Sequence, residues 1–195
     1  NVLKLSDYQF NLKNTFRPNI FWMRTFEDVY HPLMAVEVFV KVKALFPEAK
    51  MVMAGGDAGM LAQTKELANS LKVINDISFP GYITNDQKNK LAQEYDIYIC
   101  TNKVDNAPVS LVEMMSLGLP IVTVNSGGIP FMIENKVNGL LVNFNDVSAM
   151  ADAISYVINN PAFTQMLVQN GLETAKKYDV HPILVKWNAL FNQLK

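Results

Sequence analysis

Two carboxylates, Asp105 and Glu113, bracket a helix start in the stretch DNAPVSLVEMMSLGLPIVTVNSGG, residues 105–128. Pro108 ends the loop before this start, and a short apolar helix carrying Glu113 follows. First-turn amides of such a helix, from Val109 onward, lack intrahelical acceptors and point at any anion placed there. Glu113 falls about one turn further on, roughly 6 Å along the axis. A carboxylate repels bare phosphate, so the spacing suits a diphosphate at the helix start and a ribose diol held by Glu113. The other reading of Glu113 is an exposed acid on an amphipathic helix. Val109, Val112 and Leu117 crowd that short helix with apolar groups, which makes a solvated face less natural.

The elements around this stretch alternate between strand and helix. Residues 19–24 (NIFWMR) form an apolar run suited to a buried parallel strand, with Arg24 at its end. Pro32 opens a helix with Val36, Phe39, Val40, Val42, Leu45 and Phe46 on a broad apolar face, closed by Pro47. A second strand at residues 50–54 leads to Gly55, Gly56 and Asp57, then a helix through Leu61, Leu67 and Leu71. A third strand is expected over 73–79, running into Pro80, Gly81 and Tyr82. Asn85 and Asp86 are expected to cap a polar helix over 87–95 that feeds a strand over 96–100 (DIYIC). Beyond the central stretch come a strand at 140–142, a helix begun by Asp146, one opened by Pro161 that reaches about Tyr178, and a last one from His181-Pro182. That last helix carries Leu184, Trp187, Leu190, Phe191 and Leu194, and His181 and Trp187 are expected to pack rather than bind.

Such alternation predicts an α/β, Rossmann-like, doubly wound parallel sheet with extra C-terminal helices. In that architecture the loops after the strands converge on one crevice. Strand ends alone collect Arg24, Gly55 and Gly56, Pro80 to Tyr82, residues 101–110 and residues 125–128. The set holds one fixed cation, flexible glycine turns and a helix start, which suits a phosphorylated ligand.

Bulk properties narrow the classes. The 195 residues are 50% hydrophobic and 18% charged, enough to bury one sizeable core. A net charge of −1 with interspersed signs argues against nucleic acid as a partner. The single Cys100 cannot form an internal disulfide, which fits a reducing, cytoplasmic compartment. No apolar run reaches bilayer-spanning length and no signal peptide is read at the start. Two isolated histidines suggest no metal site, and the G-x-G-x-x-G turn of a dinucleotide-dependent oxidoreductase is missing. A plain α/β interaction domain would leave the gathering of Arg24, Asp105, Ser110 and Glu113 unexplained.

The run DNAPVSLVEMMSLGLPIVTVNSGGIP, then NGLLV and an Asp-started helix, resembles the C-terminal, donor-binding domain of retaining GT-B glycosyltransferases of family 4. The upstream arginine, the glycine turn and FPG extend the resemblance over nearly the whole chain. It implies one half of a GT-B fold: residues 1–17 as an interdomain segment, 18–178 as the nucleotide-sugar-binding domain, and 179–195 as a helix packing against an absent N-terminal, acceptor-binding domain. The implied ligand is a nucleotide-diphosphate sugar, UDP or GDP being the expected carrier, with no tightly bound cofactor and no metal. Arg24 matches the phosphate-binding arginine. Asp105 and Glu113, separated by seven residues, match the acidic pair, Asp105 toward the donor sugar and Glu113 toward the ribose.

By the same resemblance Val109 and Ser110 give amides to the diphosphate, and the Ser110 hydroxyl is an extra donor. Pro108 stands where many members have glycine. Gly55 and Gly56 line the nucleotide, while Pro80, Gly81 and Tyr82 sit beside the base; an ordinary turn explains Tyr82 equally well. The family's lysine after the arginine is replaced around His31-Pro32, and Phe131 occupies the position of a frequent glutamate, with Glu134 further along. The implied activity is sugar transfer with retention, to a glycan, lipid or other acceptor, by a full-length enzyme peripherally associated with a membrane through its first domain. The chain alone is expected to bind nucleotide and to transfer sugar poorly or not at all. The competing expectation is a non-catalytic nucleotide-sugar-binding module completed by a partner chain.

Overall fold

A computed structural model describes residues 3–193. Six parallel strands form one sheet: β1 (Asn19–Met23), β2 (Lys50–Ala54), β3 (Ile77–Gly81), β4 (Ile97–Cys100), β5 (Ile121–Asn125) and β6 (Leu140–Asn143), in the spatial order β3-β2-β1-β4-β5-β6. The order reverses between β1 and β4, where Ile20 pairs with Ile97 and Trp22 with Ile99. Connections after these two strands leave in opposite directions and open a crevice at their carboxyl ends. Central strands are apolar throughout because helices cover both faces; Ile20, Phe21 and Trp22 are wholly buried, as are all four residues of β4.

The helices are α1 (Pro32–Leu45), α2 (Leu61–Ser70), α3 (Asn85–Glu94), α4 (Val109–Leu117), α5 (Val147–Asn159), α6 (Pro161–Lys176) and α7 (Val180–Gln193). Helix α1 packs against α2 and α5, and α4 against α3 and α6, which defines the two covering layers. This is the expected α/β, Rossmann-like domain with its extra C-terminal helices. Asp146 caps α5 by accepting from the Ala149 amide at 2.9 Å, and Pro161 occupies the first turn of α6. Gly118 ends α4 with φ 84°; a Cβ there would lie 2.4 Å from the Asn11 carbonyl oxygen, so glycine is required twice over.

Three expectations need correction. The third strand begins at Ile77, not Val73: Lys72 is left-handed (φ 60°), and residues Ile74–Asp76 form a 3-10 turn held by Asp76 to Lys43 (3.0 Å) and Lys50 (2.6 Å). Helix α3 is capped by Thr84 rather than by Asn85 and Asp86. Thr84 and Gln87 form a reciprocal capping box, Gln87 N donating to Thr84 Oγ1 at 3.3 Å and Thr84 N to Gln87 Oε1 at 2.8 Å. Helix α7 begins at Val180, and its His181 and Trp187 do not pack into the core. Both are exposed, and Trp187 stacks on Phe191 with centroids 5.6 Å apart. Leu194 lies outside the described residues.

Residues 3–17 run along the surface and are fastened at several points. Leu3 N donates to the Tyr178 carbonyl (3.0 Å), Val180 N to the Leu3 carbonyl (2.7 Å) and Leu5 N to Asp179 Oδ1 (3.1 Å). Asn89 of α3 accepts from Gln9 N (2.8 Å) and donates to the Asp7 carbonyl (2.9 Å). Asp96, 1% exposed, accepts from Lys13 Nζ, Arg17 N (2.8 Å) and Arg17 Nε (2.7 Å). Burial works against the Lys13 cation and lowers its pKa, while the Asp96 carboxylate opposes that shift.

Removing one member of a buried ion pair leaves an uncompensated charge. Asp96→Ala should therefore lower stability by about 3–5 kcal/mol in urea titration. Arg17→Ala, removing a side chain that is 56% exposed, should lower it by about 1 kcal/mol or less.

Candidate functional site

The carboxyl edge of β1, β2 and β3 is stitched together at Gly55. Its amide donates to the Gly81 carbonyl at 2.8 Å, and a Cβ on it would lie 1.8 Å from the Arg24 carbonyl oxygen. Only glycine lets the second strand end approach the first this closely. A second contact of this kind holds the loop after β4. Gly128 N donates to the Asp105 carbonyl at 2.7 Å, and a Cβ on Gly128 would meet the Asn106 carbonyl oxygen at 1.8 Å. The glycine pair after β5 is thus the seat of the Asp105 loop.

A cavity of about 290 Å³ opens at this edge, lined by Arg24, Gly55, Gly56, Tyr82, Val109, Ser110 and Glu113 among the expected residues. Asp105, Pro80, Gly81 and Pro108 are not on its wall. Pro80 and Gly81 instead close β3, and Pro108 is the residue before α4. In the first turn of α4, Leu111 N donates to the Pro108 carbonyl (3.1 Å), and no protein acceptor is recorded among the described residues for the Val109 and Ser110 amides. Ser110 Oγ is buried without a partner; the neighbouring Tyr98 hydroxyl donates to the Met23 carbonyl at 3.1 Å. Tyr82 is 84% exposed at the cavity rim.

Both acids are engaged by protein cations. Arg24 pairs with Asp105 through Nη2, lies 4.8 Å over the Tyr30 ring centroid, and leaves its buried Nε without a partner. Burial works against the guanidinium charge, but Tyr98, Cys100, Asp105 and Tyr30 more than offset it, so its pKa is raised and it stays cationic. Asp105 also accepts from Asn102 Nδ2 at 2.9 Å. Glu113 Oε1 accepts from Lys88 Nζ at 2.5 Å and from the Tyr8 hydroxyl at 2.8 Å.

Sequence reasoning missed Tyr8, Tyr30 and Lys88. Lys88 was hidden in a helix that reads as polar, yet it is only 7% exposed. Its signal was positional: Leu91, Ala92 and Tyr95 follow at i+3, i+4 and i+7, so Lys88 heads the inward stripe. His31 is off the cavity wall. It sits left-handed (φ 49°) before α1 with its ring 5.5 Å from Phe144, and Nδ1 is buried without a partner. Phe131 is 93% exposed and Glu134 is exposed as well. Among the described residues no group of three His, Cys, Asp or Glu is placed to hold a metal ion, and no helix is long and apolar enough to cross a membrane.

The sequence profile of the family described as glycosyl transferases group 1 matches residues 6–174. The chain belongs to that family. An uncharacterized glycosyltransferase of Haemophilus influenzae is 28% identical over 127 residues, 65% of this chain and 35% of its own length. The D-inositol 3-phosphate glycosyltransferase of Mycolicibacterium smegmatis is 27% identical over 132 residues, 66% of this chain and 30% of its own. This group 1 chain therefore spans about a third of these curated relatives. In structure it superimposes on Anabaena HepE, solved in complex with UDP-glucose, with a TM-score of 0.87 at 18% identity, covering 99% of this chain and 56% of that one. That likeness shows that the group 1 domain has the fold found in GT-B glycosyltransferases.

His31 supplies a pH test in this domain. Burial, then Lys103, lowers its pKa below the ordinary 6.5, so the unfolded chain binds the proton better. Stability must then fall as the pH drops below 6.5. His31→Asn, which keeps a residue tolerant of the left-handed backbone, should lose less stability than the wild type between pH 7 and the acid side of that value in thermal melts.

Proposed function

We propose that this domain binds a nucleoside-diphosphate sugar and forms the donor half of a glycosyltransferase that transfers the sugar with retention. The observation that carries this reading is the set of unpartnered donors on one cavity wall. Ser110 Oγ and Arg24 Nε are buried without partners beside the free amides of Val109 and Ser110. An anion at this helix N-terminus, flanked by a guanidinium, would accept from the two amides. Glu113, one turn along the same helix and on the same wall, would take the ribose hydroxyls. Exposed Tyr82, next to the Gly81 that accepts from Gly55, and the side-chain-free Gly55 and Gly56 would leave room for a flat base.

In this reading Arg24 and the α4 amides stabilise the departing diphosphate, where negative charge grows during transfer. Asp105 reaches the donor sugar from outside the present cavity wall, by way of its contact with Arg24. Solved relatives in complex with UDP, UDP-glucose, or UDP with GlcNAc support a uridine diphosphate carrier, and GDP is the other expected carrier. The acceptor would be held by a further domain, with α7 and residues 3–17 lying toward it. A non-catalytic nucleotide-sugar-binding module is the second reading, favoured by the engagement of both acids with cations and by the placement of His31 off the cavity.

Calorimetric titration of the chain with UDP, GDP and ADP, free and as sugar conjugates, tests the first claim. At least one should bind, and Glu113→Ala should weaken that ligand by about 1–3 kcal/mol. Absence of binding by all of them at millimolar concentration would sink the proposal.

A further inference from the structure

The carboxylate of Glu113 presents a problem that a diphosphate site must solve. It stands one turn from where two phosphates would lie, and its side chain is only 12% exposed, so water screens it poorly. An unbalanced acid there would repel the ligand it is meant to hold. The structure balances it with Lys88, whose side chain is 9% exposed. Lys88 Nζ donates to Glu113 Oε1 at 2.5 Å, reaches Asn85 Oδ1 at 3.3 Å, and lies 5.7 Å from the centroid of the Tyr8 ring.

Tyr8 completes the arrangement from another part of the chain. Its hydroxyl donates to the same Oε1 at 2.8 Å. Burial first, then the charge and hydrogen bond of Glu113, raises the phenol pKa, so the group remains a donor across the physiological range. Asn89 fixes the backbone on both sides of Tyr8 by bonding Asp7 and Gln9. Two donors therefore converge on one oxygen from α3 and from the opening segment. Among the described residues no protein donor is recorded on Oε2.

The geometry points to Lys88 and Tyr8 as positioning residues that hold Glu113 by Oε1, neutralise it, and leave Oε2 to accept the vicinal hydroxyls of a ribose. This inference rests on the reading of the cavity as a nucleoside-diphosphate site. Lys88 acts through charge and geometry, and Tyr8 through geometry alone. For a ligand that lacks those hydroxyls Tyr8 is not required, whereas Lys88 still counts through charge, because an unbalanced Glu113 repels the phosphates.

The test is a calorimetric comparison of ribose and 2′,3′-dideoxyribose forms of UDP and GDP on the whole chain. For the ribose form that binds, Lys88→Met should weaken affinity roughly tenfold and Tyr8→Phe about threefold. The dideoxy form should bind the wild type and Tyr8→Phe alike, and should lose less than the ribose form on Lys88→Met. Lys88→Arg should recover most of the loss, and Lys88→Met should add nothing in a Glu113→Ala background. If Lys88→Met does not melt cooperatively, Tyr8→Phe, which removes one hydroxyl, decides the question. Equal losses for ribose and dideoxyribose forms, no loss in any variant, or tighter binding by Lys88→Met would overturn the positioning role and leave the nucleotide reading standing. Absence of wild-type binding to both ribose forms and to ADP would overturn the nucleotide reading, and this inference with it.

Discussion

The Arg24–Asp105 ion pair is the constraint around which this domain's edge is arranged. A guanidinium at the end of β1 is taken out of water, and burial of a charge is tolerated only when partners surround it. Its ion-pair partner, Asp105, comes from the loop after β4, on the other side of the point where the strand order reverses. The pair therefore spans the opening of the sheet. To bring the two loops together, backbone must approach backbone at Gly55 and Gly128 more closely than any Cβ allows. The glycines, the sheet reversal and the ion pair are one device seen at three scales.

Much of this was legible from letters because the periodicities are strong. Residues 19–24 and 50–54 read as buried strands because helices cover both faces, and apolar runs follow from that. The carboxyl-edge residues could then be collected from topology alone, and Arg24, Gly55, Gly56, Tyr82, Val109 and Ser110 among them share one cavity wall. What stayed hidden depends on tertiary neighbours. Thr84 outcompetes Asn85 as a cap because Gln87 is in place to return the bond. Val73 looks like the start of a strand, but Lys72 turns left-handed ahead of it and Asp76 is pinned by two lysines. Lys88 heads an inward stripe of its helix, but the carboxylate it meets there comes from another element.

Asp105 and Glu113 look symmetric in the sequence and are not equivalent in the fold. Asp105 is fastened to a cation fixed on the sheet and stands away from the cavity wall. Glu113 lines the wall and is fastened to residues of a peripheral helix and of a surface segment. A perturbation of that segment reaches Glu113 through Tyr8 without passing through the core. Arg24 and Asp105 are held by each other, by Tyr30 and by Asn102, with no recorded bond to that segment among the described residues. The two ends of the acidic pair thus answer to different parts of the molecule.

The clip between Leu3 and Asp179 has a mechanical consequence. Its two backbone segments run parallel, joined by Leu3 N to the Tyr178 carbonyl and Val180 N to the Leu3 carbonyl. Tension drawing the chain apart before residue 3 and after residue 180 pulls parallel segments in opposite senses, which is shear. Its hydrogen bonds, with the one from Leu5 to Asp179, would share the load and fail together rather than open one by one. The clip is therefore a brake against forced unravelling, set where the opening segment meets the junction of α6 and α7.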